Sequence, residues 1–212
     1  IDVEEKAWGP DYLRIGGRAV TDFHTDGRFS VTLQHTRTWV NDWGAEWRNE
    51  LQVGDFRRVM TSFYQPLGPG SPWFVEPVLE ALKSDHDIYV TGNRRTDRVT
   101  NEAVSGAMAL GRRLGSTGVA RVLAGHQRFR TSPAISSRDL APAKDSANFL
   151  KLDATFDTLD DANFPRRGYL ASVSATRTDY LSGEGSQLNT VVGQLLWPVT
   201  FDRLTLLGLA FA

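Results

Sequence analysis

Glu46, Arg48 and Glu50 occupy every second position of one short run, and Lys151, Asp153 and Asp157 do the same in another, with Thr155 filling the gap. Residues two apart on an extended chain share a face, so each set turns opposite charges to one side of a strand. Two roles suit such an arrangement. The charges can pair and brace the protein, or they can line a polar conduit for a translocating segment. If these strands cross a membrane, the charges must face an internal lumen, because each would cost about 3 kcal/mol in hydrocarbon.

Other chemistry is hard to place. No G-x-S-x-G turn carries a serine nucleophile, and VSGAMALG around Ser105 lacks that frame and lies in a strand-like run. The histidines, His24, His35, His86 and His126, have no metal-ligand spacing; Asp85 and Asp87 flank His86, where polar loop or strand-end character is the expectation. Gly16 and Gly17, or Gly111 and Gly115, precede no helix, so they read as bend or close-packing glycines rather than a phosphate loop. NRRTDR at 93–98 reads as a solvated loop, with binding of anionic lipopolysaccharide or a partner as the alternative. The chain is therefore expected to hold no catalytic residues, no cofactor and no metal.

The elements that must position the charged sets are strands. Leu150, Leu152, Ala154 and Phe156 alternate with Lys151, Asp153, Thr155 and Asp157. Tyr169, Ala171, Val173 and Ala175 alternate with Ser172, Ser174 and Thr176, and Trp47, Leu51 and Val53 with Glu46, Arg48, Glu50 and Gln52. About eleven such runs follow one another, joined by alternately short and long connections in the manner of an up-and-down transmembrane barrel. Short turns are expected at 41–44, 68–72, 115–118, 159–168 and near Asp202. Longer connections are expected at 24–27, 92–101, 132–146 and 180–185; the one near Gly54 and Asp55 is short and fits that alternation less well.

Aromatic residues gather beside the short turns: Trp39, Trp43 and Trp47; Tyr64, Trp73 and Phe74; Phe164 and Tyr169; Trp197 and Phe201. Such rings collect where hydrocarbon meets headgroup, so the group reads as one girdle. His35 and Arg37 share a face with Phe29, Val31 and Leu33 and interrupt its apolar character; only a place near the girdle accounts for them.

Composition narrows the classes. With 24 basic and 25 acidic side chains, nothing favours tracking along nucleic acid. The absence of cysteine removes disulfides and thiolate chemistry. No apolar run approaches the length of a spanning helix. The fold class expected is all-β: an antiparallel up-and-down transmembrane barrel, here an incomplete segment. Residues 1–10 read as a linker from an upstream periplasmic domain and 11–212 as the barrel segment, with further strands expected beyond Ala212.

FDTLDDANFPRRGYL, residues 156–170, resembles the strand-turn-strand signature of the bacterial surface antigen superfamily, the outer-membrane barrels of insertases and two-partner secretion translocators. Asp157, Asp160, Phe164, Pro165 and Gly168 stand at the matching places, with Tyr169 beginning the next strand. Proline fixes φ and glycine permits left-handed re-entry, so a periplasmic hairpin is implied. RRGY at 166–169 lies outside the context of the superfamily's arginine-glycine-aromatic loop and is not given that role. WGPDYLRIG at 8–16, NDWGAEWRNELQVG at 41–54 and SFYQPLGPGSPWFVEP at 62–77 are similar to the barrel that follows the catalytic domain in patatin-like phospholipase autotransporters.

The resemblance implies a bacterial outer-membrane barrel that anchors, and translocates, an upstream patatin-like passenger. Its implied partners are outer-membrane lipids, the upstream periplasmic and passenger domains, and the outer-membrane assembly machinery. An assembly insertase or two-partner translocator is an alternative, and a soluble β-sandwich or barrel that binds a ligand is another.

Overall fold

The computed structural model describes residues 11–21, 27–54, 56–90, 94–135, 142–161, 164–181, 186–202 and 204–212. They form eleven strands: β1 (Asp11–Thr21), β2 (Gly27–Arg37), β3 (Glu46–Gly54), β4 (Phe56–Pro66), β5 (Trp73–Val90), β6 (Arg94–Leu114), β7 (Gly118–Ile135), β8 (Ala143–Asp157), β9 (Leu170–Tyr180), β10 (Gln187–Phe201) and β11 (Leu204–Phe211). All belong to one antiparallel sheet in sequence order, with β1 and β11 at its edges. The residues expected to form a linker, 1–10, lie outside the described residues, as do 22–26 in the first long connection.

The pairing registers carry one face across the whole sheet. Leu13, Val31, Leu51, Val59, Leu79, Met108, Val122, Leu152, Val173, Val191 and Leu206, one from each strand, lie on the same side and are all exposed. The opposite face carries the charged sets on β3 to β8, whereas β10 and β11 turn Leu188, Val192, Leu207 and Leu209 to it. Among the described residues there is no apolar core between two layers; the buried Ser62, Tyr64, Phe74 and Glu76 share the charge-bearing face of β4 and β5. Side chains two strands apart touch on that face, Arg121 of β7 with Glu76 of β5 for instance. Tyr12 of β1 and Asp157 of β8, far apart in the strand order, line one cavity, so the sheet curls with its charged face inward.

Four of the glycines within strands are matched to aromatic rings directly opposite. Phe74 lies over Gly111, Phe149 over Gly125, Phe156 over Gly118 and Trp197 over Gly208, and a Cβ at any of these glycines would collide with the facing ring. The ring fills the space that the missing side chain leaves.

Two expected connections prove shorter. The 92–101 connection contracts to 91–93, because β5 and β6 stay paired out to Val90 and Arg94. Arg94–Arg98 of the expected solvated loop is therefore strand. Its polar residues hide the alternation, but backbone hydrogen bonds to β5 and, from Arg98 onward, to β7 do not depend on side-chain polarity. Likewise β7 runs to Ile135 and β8 starts at Ala143, which trims the 132–146 connection from both sides. His86 pairs with Val99 inside the hairpin, and Thr100 Oγ1 donates to Asp85 at 2.6 Å.

Candidate functional site on the inner face

Alternation places Glu46, Arg48 and Glu50 of β3 on the inner face, along with Lys151, Asp153 and Asp157 of β8. The adjoining strands β4 and β7 add Arg58, Ser62 and Tyr64, and Arg121, and β5, the next strand beyond β4, adds Glu76 and Glu80. The charges sort into two networks.

In the larger, Arg48 donates to Glu46 Oε2 from Nη2 at 2.6 Å and from Nε at 3.1 Å, and its Nη1 lies 3.7 Å from Glu76 Oε1. Arg121 holds Asp153 Oδ2 from Nε and Nη2 at 3.0 and 2.9 Å, and reaches Glu76 Oε2 from Nη1 at 3.1 Å. Ser62 Oγ donates to Glu76 Oε1 at 2.9 Å. Glu76 is thus the hub, its side chain only 4% exposed. Small residues make the reach possible. Ser62 lies between β3 and β5, and Ala109 and Gly111 lie between β5 and β7. Arg48 also stands over the Tyr64 ring, 5.4 Å from its centroid, and Tyr64 packs on Phe74 at 4.6 Å.

In the smaller network Arg58 bridges Glu80 at 2.6 Å and Glu50 at 2.7 Å. Glu50 therefore belongs with Arg58 and not with Arg48. Among the described residues Lys151 has no hydrogen bond or ion pair, and Asp157 accepts the Leu159 amide at 3.0 Å. The sequence reading omitted Arg58, Glu76, Glu80 and Arg121. A signal existed for Glu76 and Glu80, which share the parity of Phe74 and Val78, and for Arg121, a single charge within GVARVLA.

Glu46, Arg48, Tyr64, Glu76 and Arg121 of the larger network line a cavity of about 810 Å³ together with Tyr12, Arg113 and Asp157. The arrangement ties β3, β4, β5, β7 and β8 together across their inner face.

The turn expected to be specialised, 159–168, is built from its acids. Asp160 Oδ1 accepts the amides of Arg166 and Arg167 at 2.8 and 3.1 Å, and Asp161 Oδ1 accepts that of Phe164 at 2.8 Å. The two amide bonds hold the exposed Asp160 carboxyl below the usual aspartate range. Pro165 is buried, while Phe164 is 85% exposed. Thr158 and Tyr169 close the base, the Thr158 amide donating to the Tyr169 carbonyl at 2.9 Å and the Tyr169 amide to Thr158 Oγ1 at 2.9 Å. Gly168 has φ +89°, and a side chain there would strike the Thr158 carbonyl. Arg166 Nη2 donates to the Asp202 carbonyl at 2.7 Å, which joins this turn to the next on the same edge.

Of the expected girdle, Trp39, Trp43, Trp47, Trp73 and Trp197 are exposed at that end of the sheet. Tyr64 departs from the expectation. It shares the parity of Ser62, faces inward and is buried, so it packs in the charge network instead. His35 and Arg37 fall at the girdle end of β2. His35 bonds Asp11 at 3.1 Å and Asn49 at 3.3 Å and sets its ring edge-on to Trp47.

An open run of antiparallel strands in sequence order, apolar outside and charged inside, has the form of an outer-membrane barrel wall. No family model and no curated protein matches the sequence. Among solved structures, the fold is similar to that of BamA from Haemophilus ducreyi lacking POTRA domains 1-3, with a TM-score of 0.69 and 12% identity over 92% of this chain. The match spans 38% of that structure's length.

Proposed function

We propose that this chain is part of a bacterial outer-membrane β-barrel of the surface antigen type, anchoring the polypeptide to which it belongs. The observation that carries the proposal is the apolar outer face continuous over all eleven strands. In water, an exposed apolar surface of that extent drives association; in a bilayer it is the required lipid-facing band. The inner networks then act as internal braces that hold the curvature. Mutual pairing favours this role over a conduit, since most of the charges are already satisfied.

The upstream cargo in this proposal is a patatin-like phospholipase, on the resemblance of segments 8–16, 41–54 and 62–77. The likeness of the fold to a BamA barrel favours a second reading, an assembly insertase or translocator. Expression of the complete reading frame in a Gram-negative host tests both. Recovery with the outer membrane, together with surface phospholipase activity that disappears on deletion, supports the first. Accumulation of unassembled outer-membrane proteins on depletion supports the second. Recovery as a soluble monomer without detergent refutes both.

A further inference from the structure

We infer that the outer face of β6, β7 and β8, at the end remote from the tryptophan girdle, binds the phosphate of an anionic lipid headgroup in the outer leaflet. The inference rests on the outer-membrane reading and adds a ligand to it. Arg130 pairs directly with Lys144 across β7 and β8, and Arg128 lies two residues along on the same face. Like charges set opposite one another in a sheet repel. Glu102, opposite Arg130 on β6, is held by Lys83 at 2.7 Å. Arg128 and Lys144 are exposed and have no hydrogen bond or ion pair among the described residues. An anion from outside would offset this surplus.

Place and shape select a lipid as the source. The three cations border a shallow cavity of about 530 Å³ that Val104 and Leu181 also line. Farther along the same outer face of β7 and β8 come Val122, Leu150 and Leu152, in the apolar band. A headgroup phosphate at the cations therefore leaves its acyl chains lying against that band. Guanidinium forks suit phosphate oxygens, and lysine adds a point charge.

The test uses the complete protein reconstituted into phosphatidylcholine vesicles containing diphosphorylated lipid A, dephosphorylated lipid A or neither, followed by native mass spectrometry of lipid retained after detergent extraction. Retention of the diphosphorylated form alone is expected. Arg128→Gln/Arg130→Gln/Lys144→Gln should reduce it at least about tenfold, and Glu102→Gln, which removes the competing carboxylate, should increase it. Equal retention of the two lipid A forms, or equal retention by wild type and the triple variant, overturns the inference while leaving the membrane reading intact. A wild-type protein that inserts into none of the vesicles overturns the membrane reading and this inference with it. Should the triple variant fail to insert, the Glu102→Gln gain decides, and no gain there counts against the site.

Discussion

Arg121 on β7 reaches Glu76 on β5 across β6, Nη1 to Oε2 at 3.1 Å, beside the small side chain of Ala109 and the Phe74 ring that covers Gly111. The same guanidinium holds Asp153 on β8, so one side chain ties three strands and fixes their curl. Glu76→Gln deprives two guanidiniums of their shared anion, and removing one partner of a buried pair costs about 3 kcal/mol or more. Urea unfolding of the vesicle-embedded protein should therefore show a marked loss for Glu76→Gln and for Arg121→Met. The double variant should lose less than the sum, with a coupling of about 1 to 3 kcal/mol. Additive losses would mean that the two residues act separately.

Gly168→Ala places a methyl group against the Thr158 carbonyl at a φ that alanine resists. The expected loss is more than about 1 kcal/mol. Gly17→Ala is the control, since open space surrounds that position and its φ is ordinary. Urea midpoints of the two variants measured side by side should separate them, and equal midpoints would remove the turn from the set of structural constraints.

Because two amides hold the Asp160 carboxyl below its usual pKa, its contribution to the turn is complete above the ordinary aspartate value and is lost as pH falls through the lowered one. Hydrogen-exchange protection of the Arg166 and Arg167 amides should stay flat from neutrality down to about pH 4 and fall only below that. Asp160→Asn keeps an accepting oxygen without a titrating group, so its protection should not fall with acid. A wild-type fall centred near pH 6 would point to some other group.

Much of this was readable in the sequence because a strand's side chains repeat every two residues. Phe149–Asp157 shows its two faces plainly, and the expected turns at 41–44 and 115–118 match connections between strands. What escaped depends on geometry beyond one strand. That Arg58 would take Glu50 from Arg48 follows from the register of β3 with β4 and β5, which alternation within β3 does not set. Arg94–Arg98 lacks apolar residues at alternate positions, so its strand character comes only from the backbone of neighbours. Proximity to a turn places Tyr64 in the girdle, although its parity with Arg58, Met60 and Ser62 puts it on the charged side.

Val191 and Thr190 are adjacent on β10 and point to opposite faces, Val191 outward at 68% exposure and Thr190 toward the inner side. Val191 lies in the register row that continues through Ala175, Leu152 and Val122, in the apolar band. In a bilayer, Val191→Arg puts a guanidinium into hydrocarbon and should cost about 2 to 4 kcal/mol near the midplane. Thr190→Arg meets the polar interior and should cost much less. In a water-soluble protein the order vanishes or reverses, because an arginine at an exposed position stays hydrated wherever it points. Urea unfolding of the two variants in vesicles, compared with wild type, therefore tests which side of this sheet faces lipid, and equal losses would remove the basis for a lipid-facing band.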